Sequence, residues 1–199
     1  MNLPNKLTVS RIFLTFVFML LLFSDGIASR TGALAVFFIA SLTDFLDGYL
    51  ARRYDMITDF GKLMDPIADK VLVLSAFLAF IELRLVPAWM VVLIISREFI
   101  VTGVRVLALS KKVVLPAREG GKHKTVSQMS AIFVILIFLV FREIGLKYPS
   151  LWSPGIEGCF KNIILALMWW TTPLTLVSGG AFLYKNRAVF MHDGQGGHG

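Results

Sequence analysis

The chain has 199 residues, of which 56% are hydrophobic and 17% charged, and this composition is too apolar for an ordinary soluble domain. Its 20 lysines and arginines outnumber 13 acids, and the formal charge of +7 suits either anionic lipids or nucleic acid. The long apolar runs favour membrane lipids and argue against a nucleic-acid partner. The single cysteine, Cys159, excludes an internal disulfide and a cysteine-based zinc site.

Six stretches approach the ~20 residues that a helix needs to cross a hydrocarbon core of ~30 Å. They predict an all-α integral membrane protein with six transmembrane helices, at residues 7–23, 32–50, 66–81, 86–109, 125–141 and 162–184. No small-residue cleavage site follows the first apolar run, so we expect it to be retained as a span. The connections are short and no repeat is visible, which predicts one membrane domain over residues 1–188. Residues 189–199 are predicted to be a disordered polar tail.

The distribution of basic residues predicts the orientation. Six spans place both termini and the second and fourth loops on one side of the membrane. Most lysines and arginines fall on that side, and the opposite side holds Arg30, Arg84, Arg142, Lys147 and Lys161. Because basic residues concentrate on the cytoplasmic side, both termini are predicted to be cytoplasmic. The protein is therefore expected in the cytoplasmic membrane, with the acids of residues 44–69 facing the cytoplasm.

Those acids belong to the segment SLTDFLDGYLARRYDMITDFGKLMDPIADK, which joins the second and third predicted spans. At about 100° per residue, one helix face of roughly 140° would carry five of its residues. They are Asp44, Asp47, Gly48, Ala51 and Arg52.

Three further residues of the segment, Gly61, Asp65 and Asp69, are spaced at intervals of four. A third helix beginning near residue 58 would carry them as one stripe. Pro66 leaves two possibilities, because it either kinks that helix or begins it with Asp65 as the N-cap. In both cases the two aspartates lie about one turn apart.

The four aspartates Asp44, Asp47, Asp65 and Asp69 predict a metal site. Converging carboxylates would repel one another at the membrane edge, where a charged side chain costs at least ~2.5 kcal/mol. Oxygen ligands favour a hard divalent cation, Mg²⁺ or Mn²⁺, and two such ions about 4 Å apart would bind a pyrophosphate. The alternative is that these acids are interfacial charges paired with neighbouring lysines and arginines. The complete spaced set favours the metal site.

The pattern DGxxAR flanked by acids at these intervals closely resembles the signature of the CDP-alcohol phosphatidyltransferases. The resemblance implies a homodimeric bundle of six membrane helices whose active site opens to the cytoplasm. It implies that Asp44, Asp47 and Asp65 hold the metal ions, and that Asp69 is both a ligand and the general base. It also implies a nucleotide site for CDP-diacylglycerol. The predicted nucleotide-binding residues are Asn5, Thr8, Asp47, Gly48, Ala51, Arg52 and Gly61, although Thr8 is equally a plain helix-start residue.

Segments outside this motif predict the acceptor. LPNKLTVSRI, SREFIVTGVR and GGKHKTVSQM resemble the bacterial phosphatidylglycerophosphate synthase branch of the family. Its acceptor, glycerol 3-phosphate, carries a dianion that needs basic partners, and an arginine inside a span is a candidate for such a role. The candidates are Arg97, Arg105, Arg118, Lys122 and Lys124. Alternatively, Arg97 pairs with a neighbouring acid such as Glu98, and the loop lysines reflect the orientation alone.

The predicted reaction is metal-assisted direct displacement. Asp69 takes the proton of the 1-hydroxyl of glycerol 3-phosphate, and that oxygen attacks the lipid-side phosphorus of CDP-diacylglycerol. The products are phosphatidylglycerophosphate and CMP. One alternative is another acceptor: inositol phosphate, serine or phosphatidylglycerol. Another is a metal or ion transporter, which predicts acids near the midplane of several spans, whereas these acids gather at one side.

Overall fold

A computed structural model describes the backbone of residues 3–54, 59–110 and 120–187, and the side chains of residues 10–43, 70–108, 124–150 and 152–187. These ranges are helical apart from short connections, with no β-strand among the residues described. The α-helices are α1 Leu3–Phe23, α2 Ile27–Tyr54, α3 Asp59–Glu82, α4 Ala88–Ser110, α5 Gly120–Lys147 and α6 Pro154–Lys185, and a 3-10 turn spans Pro149–Leu151. The predicted all-helical class is confirmed, and each predicted span corresponds to one helix.

Five of the described helices begin four to eight residues before their predicted spans, because their first residues are more polar than the apolar runs, and α6 and α2 show how such starts are formed. The first turn of α6 follows Ser153, whose Oγ accepts a hydrogen bond from the backbone N–H of Ile156 at 3.3 Å. Pro154 is the first helical residue, where its missing N–H costs nothing. Before α2, Gly26 adopts φ +106°, a backbone conformation that glycine reaches without strain.

The start of α3 decides between the two possibilities that Pro66 left open. The helix begins at Asp59, so Pro66 lies after its first two turns and not at its first position. Asp65 and Asp69 therefore lie on one continuous helix, one turn apart, as the spacing predicts. The predicted tail, residues 189–199, lies outside the described residues.

Length and hydropathy together identify two helical segments able to cross a membrane within the described part of the chain. They are Lys124–Lys147 and Pro154–Lys185, and shorter apolar segments lie at Ser10–Phe23 and Ile27–Thr43. The charged residues Arg97, Glu98 and Arg105 interrupt the apolar character of α4.

The helices form two compact units. The first comprises Met1–Leu85 and Ile132–Ile164, and within it α1 packs against α2 and α3. Its core holds stacked aromatic rings, with the centroid of Phe37 lying 5.5 Å from Phe18 and 5.3 Å from Phe133. The second unit comprises Val86–Ala131 and Leu165–Gly199. It buries Met90, Val91 and Ile94.

A buried arginine joins three helices of the first unit through an ion pair and a hydrogen bond to a backbone carbonyl. Arg30 of α2 donates from Nη1 to the backbone oxygen of Leu22, near the end of α1. Its Nε donates to Glu143 Oε1 of α5 at 3.3 Å. The arginine thus stabilises a helix C-terminus whose last carbonyls lack helical partners.

Many large apolar side chains are exposed while several charged ones are buried. Phe13, Leu20 and Trp170 are each at least 66% exposed, whereas Arg97 and Glu98 are at most 8% exposed. This arrangement is the reverse of the usual one in water, and extensive exposed apolar surface marks an interaction site or membrane contact.

Candidate functional site

The aspartate motif spans the end of one helix and the start of the next in the first unit. Asp44 and Asp47 lie in the last half of α2, and Asp65 and Asp69 lie in the first half of α3. Helices joined by a short connection are expected to lie side by side and antiparallel. At 1.5 Å per residue, Asp47 and Asp65 then lie about 10 Å from the helix ends, and Asp44 and Asp69 about 15 Å. In that arrangement the aspartates would lie at matching depths in pairs, Asp47 with Asp65 and Asp44 with Asp69.

The other predicted nucleotide-binding positions lie on the same group of mutually packed helices. Asn5 and Thr8 are in α1; Gly48, Ala51 and Arg52 are in α2; Gly61 is in α3. Because residues 44–52 are continuous helix, the predicted common face of α2 holds for its backbone. The side chains of all these residues, and of the four aspartates, lie outside the described set.

The donor set of the motif fits the predicted cations. Four aspartates offer oxygen atoms alone, and hard divalent ions such as Mg²⁺ and Mn²⁺ prefer oxygen ligands. Among the side chains that the structure describes, no group of three or more His, Cys, Asp or Glu residues is placed to hold a metal ion.

In the second unit, two residues of the predicted acceptor site converge on one carboxylate. Arg97 Nη1 donates to Glu98 Oε1 at 2.9 Å, and Lys124 Nζ donates to the same oxygen. Arg97 Nη2 donates to Ser178 Oγ at 3.2 Å. The contacts join α4, α5 and α6, and the predicted alternative, pairing of Arg97 with Glu98, is present in the structure.

Sequence reasoning did not identify two residues in contact with Arg97. Ser178 and Gly179 lie on α6, more than eighty positions after Arg97 in the sequence. A Cβ at Gly179 would lie 2.6 Å from Arg97 Cγ and 2.8 Å from its Nε, closer than real contacts allow. We call Arg97, Glu98, Lys124, Ser178 and Gly179 the Arg97 cluster. The signal available in the sequence was the small Ser-Gly-Gly run of α6.

A second set of polar contacts joins α5 to α6 within the same unit. Gln128 Nε2 donates to Thr175 Oγ1 at 3.3 Å, and Thr171 Oγ1 donates to the backbone oxygen of Ser127 at 3.4 Å. All three side chains that donate or accept here are buried. Hydrogen bonds of this kind hold helices together where water is excluded.

The remaining candidates of the acceptor set are placed differently. Arg105 is exposed, and its guanidinium lies 5.4 Å from the ring centre of Phe182. Lys122 is within α5, but its side chain is not among those described, and Arg118 lies wholly outside the described residues. Among the described side chains of the five acceptor-site candidates, the structure therefore places Arg97 and Lys124 together.

Comparison with known proteins identifies the family. A model of the CDP-alcohol phosphatidyltransferase family matches residues 1–177, a range that contains all four aspartates and the Arg97–Lys124 pair. The chain is 37% identical to the CDP-diacylglycerol–glycerol-3-phosphate 3-phosphatidyltransferase of Bacillus subtilis over 199 residues, covering 93% of this chain and 95% of that protein.

A protein of the same name from Rickettsia typhi is 42% identical over 190 residues, covering 95% of this chain and 99% of the relative. Another, from Mycoplasma pneumoniae, is 31% identical over 209 residues, covering 94% and 90%. The resemblance first seen in the aspartate motif thus extends along almost the whole sequence. The chain belongs to the CDP-alcohol phosphatidyltransferase family.

Proposed function

We propose that this protein transfers the phosphatidyl group of CDP-diacylglycerol to glycerol 3-phosphate, giving phosphatidylglycerophosphate and CMP. The proposal rests on alignment with relatives that bear the name of this transferase. The alignment covers nearly the whole of both chains, 95% of this chain and 99% of the Rickettsia typhi protein. Membership in a family of transferases also favours an enzyme over the alternative of a transporter.

The cofactor in this proposal is a pair of Mg²⁺ or Mn²⁺ ions, which the four aspartates would hold. These aspartates are Asp44, Asp47, Asp65 and Asp69. When bound, such ions supply positive charge that offsets the charge of a pyrophosphate. The small residues Gly48, Ala51 and Gly61 leave space for a bulky nucleotide close to the helix backbones. Arg52, on the same face of α2, and Asn5 and Thr8 of α1 complete the proposed nucleotide site.

Asp69 acts as the general base. Its carboxylate accepts the proton of the 1-hydroxyl of glycerol 3-phosphate, which makes that oxygen a stronger nucleophile. A new bond forms between this oxygen and the lipid-side phosphorus, while the bond from that phosphorus to the CMP oxygen breaks. CMP leaves with the electron pair, and both acyl chains stay in the bilayer throughout.

Positive charge on α4 and α5 supports a phosphorylated acceptor. The Arg97 cluster contains two cations and one carboxylate, a net positive charge within a largely buried environment. Charge-assisted hydrogen bonds from arginine are directional, so they can orient a phosphate as well as attract it. Serine and other acceptors without a phosphate would not need this arrangement. Arg105, Arg118 and Lys122 are the further candidates for this role.

We also propose that the protein crosses the cytoplasmic membrane six times with both termini in the cytoplasm, and functions as a homodimer. The six helices have 21 to 32 residues each, long enough for a ~30 Å core. The exposed apolar side chains and the excess of basic residues at the proposed cytoplasmic side support this placement. Lipid and water-soluble substrates would then meet at the membrane surface.

An acceptor panel tests the proposal. Purified protein in detergent is given CDP-diacylglycerol with glycerol 3-phosphate, inositol phosphate, serine or phosphatidylglycerol, and CMP release is measured. We expect release with glycerol 3-phosphate and formation of a phosphorylated lipid product. Equal or faster release with another acceptor would assign the protein to a different branch of the family.

A further inference from the structure

The guanidinium of Arg97 is held by contacts from two helices. It is buried, with 8% of its side chain exposed, and donates to Glu98 Oε1 and Ser178 Oγ. A buried charge is costly unless partners compensate it, so this geometry is strongly determined. The buried Nε has no hydrogen-bond acceptor among the described residues. Because Nε lies against Gly179, the donors left for an anion are the second N–H of Nη1 and the second N–H of Nη2, nitrogens that each make one hydrogen bond to the described residues.

The stem of Arg97 occupies space that exists because residue 179 has no side chain. A methyl group at Gly179 would overlap Arg97 Cγ and Nε, at 2.6 Å and 2.8 Å. The next residue, Gly180, is exposed, and a Cβ there would meet no described atom within 4 Å. Two adjacent glycines on one helix therefore differ in their surroundings: Gly179 is buried against Arg97, whereas Gly180 is exposed, with no described side chain near its Cβ position.

We infer that Gly179 and Ser178 are positioning residues that set the location of Arg97 for the phosphate of the acceptor. Gly179 admits the arginine stem close to α6, and Ser178 fixes one end of the guanidinium. Glu98 holds the other end and also holds Lys124, so that two cations are kept together despite their repulsion. This inference rests on the proposed function, because it assumes that the acceptor carries a phosphate.

The test compares Gly179→Ala with Gly180→Ala as the matched control. In each variant the KM for glycerol 3-phosphate is measured at saturating CDP-diacylglycerol, and the KM for CDP-diacylglycerol at saturating glycerol 3-phosphate. Gly179→Ala should displace Arg97 and weaken its charge-assisted hydrogen bond to the acceptor phosphate. We therefore expect it to raise the KM for glycerol 3-phosphate about tenfold or more. The second KM should change less than about twofold. Gly180→Ala should resemble the wild type in both.

Ser178→Ala provides a variant without steric overlap, in case Gly179→Ala fails to fold. It removes the acceptor of Arg97 Nη2 and should raise the KM for glycerol 3-phosphate selectively, by a smaller factor than Gly179→Ala. Selective increases support the inference. Unchanged KM values would overturn the inference, and so would a lower kcat together with similar increases in both KM values. In either case the proposed function would stand if the wild type transferred to glycerol 3-phosphate. A wild type that releases no CMP with glycerol 3-phosphate would overturn both.

Discussion

At the residue scale, the candidate site contains positions that the sequence could identify and positions that it could not. The four aspartates are predicted from their spacing, since intervals of three and four residues place each pair on one helix face, and their roles stay predictions. Arg97 follows from its place inside an apolar run. Its contacts with Ser178 and Gly179 do not follow, because the sequence does not specify how α4 and α6 are rotated against each other.

The metal-binding proposal predicts the effect of removing one carboxylate. Asp44→Asn, Asp47→Asn and Asp65→Asn should each reduce turnover by about a hundredfold or more, because a lost ligand leaves phosphate charge uncompensated. Asp25→Asn, outside the motif, is the control. CMP release at several Mg²⁺ concentrations measures the effect. Near-wild-type activity in any motif variant would remove that residue from the proposed metal site.

Asp69 should behave differently if it is the base. Asp69→Asn is expected to lower kcat far more than it weakens binding of CDP-diacylglycerol, because the amide cannot accept the hydroxyl proton. Turnover and nucleotide binding are measured on the same preparation. A collapse of metal and nucleotide affinity in parallel with the rate would indicate that Asp69 is chiefly a ligand.

The acceptor proposal predicts unequal effects among the five basic candidates. Substituting Arg97 or Lys124 by Gln should raise the KM for glycerol 3-phosphate about tenfold or more. Both cations lie together beside Glu98, so each loss removes positive charge from the proposed phosphate site. Arg105→Gln should have a smaller effect, since that side chain is exposed and lies over Phe182. Arg118→Gln and Lys122→Gln complete the series of KM measurements. No change in any of the five would refute the acceptor site as proposed.

At the element scale, apolar runs located all six helices, and polar first turns concealed where some begin. The predicted start of the last span, residue 162, is eight residues late, because Gly, Glu and Lys in its first turns lower the local hydropathy. The Ser153-Pro154 pair was a usable start signal, since serine at the N-cap and proline at the first position are both favoured. Contacts between helices required the structure.

The Arg30–Glu143 pair should stabilise the assembly of α1, α2 and α5 without affecting catalysis. Arg30→Gln leaves the half-buried Glu143 without its ionic partner and removes the bond to the Leu22 carbonyl, so it should lower stability by about 2 kcal/mol. The control is Lys161→Gln, in an exposed pair with Glu157 that should contribute less than about 1 kcal/mol. Thermal unfolding in detergent gives the comparison. Equal stability of the two variants would contradict the assigned role of Arg30.

At the scale of the whole molecule, the composition, the helices and the family form one consistent account. An apolar, basic chain folds into helices that expose large hydrophobic side chains and bury selected charges. Such a molecule suits a reaction between a lipid-anchored nucleotide and a water-soluble acceptor. The sequence predicted the helical class and the family, whereas the single-domain prediction, the six spans and the homodimer remain predictions.

CMP release from the purified, detergent-solubilised protein is measured with CDP-diacylglycerol and glycerol 3-phosphate, before and after chelation with EDTA. We predict release that requires glycerol 3-phosphate, stops on chelation, and returns when Mg²⁺ or Mn²⁺ is restored. Asp69→Asn is the inactive control. Release that continues unchanged in EDTA, or that is independent of glycerol 3-phosphate, would contradict a metal-assisted transfer to this acceptor.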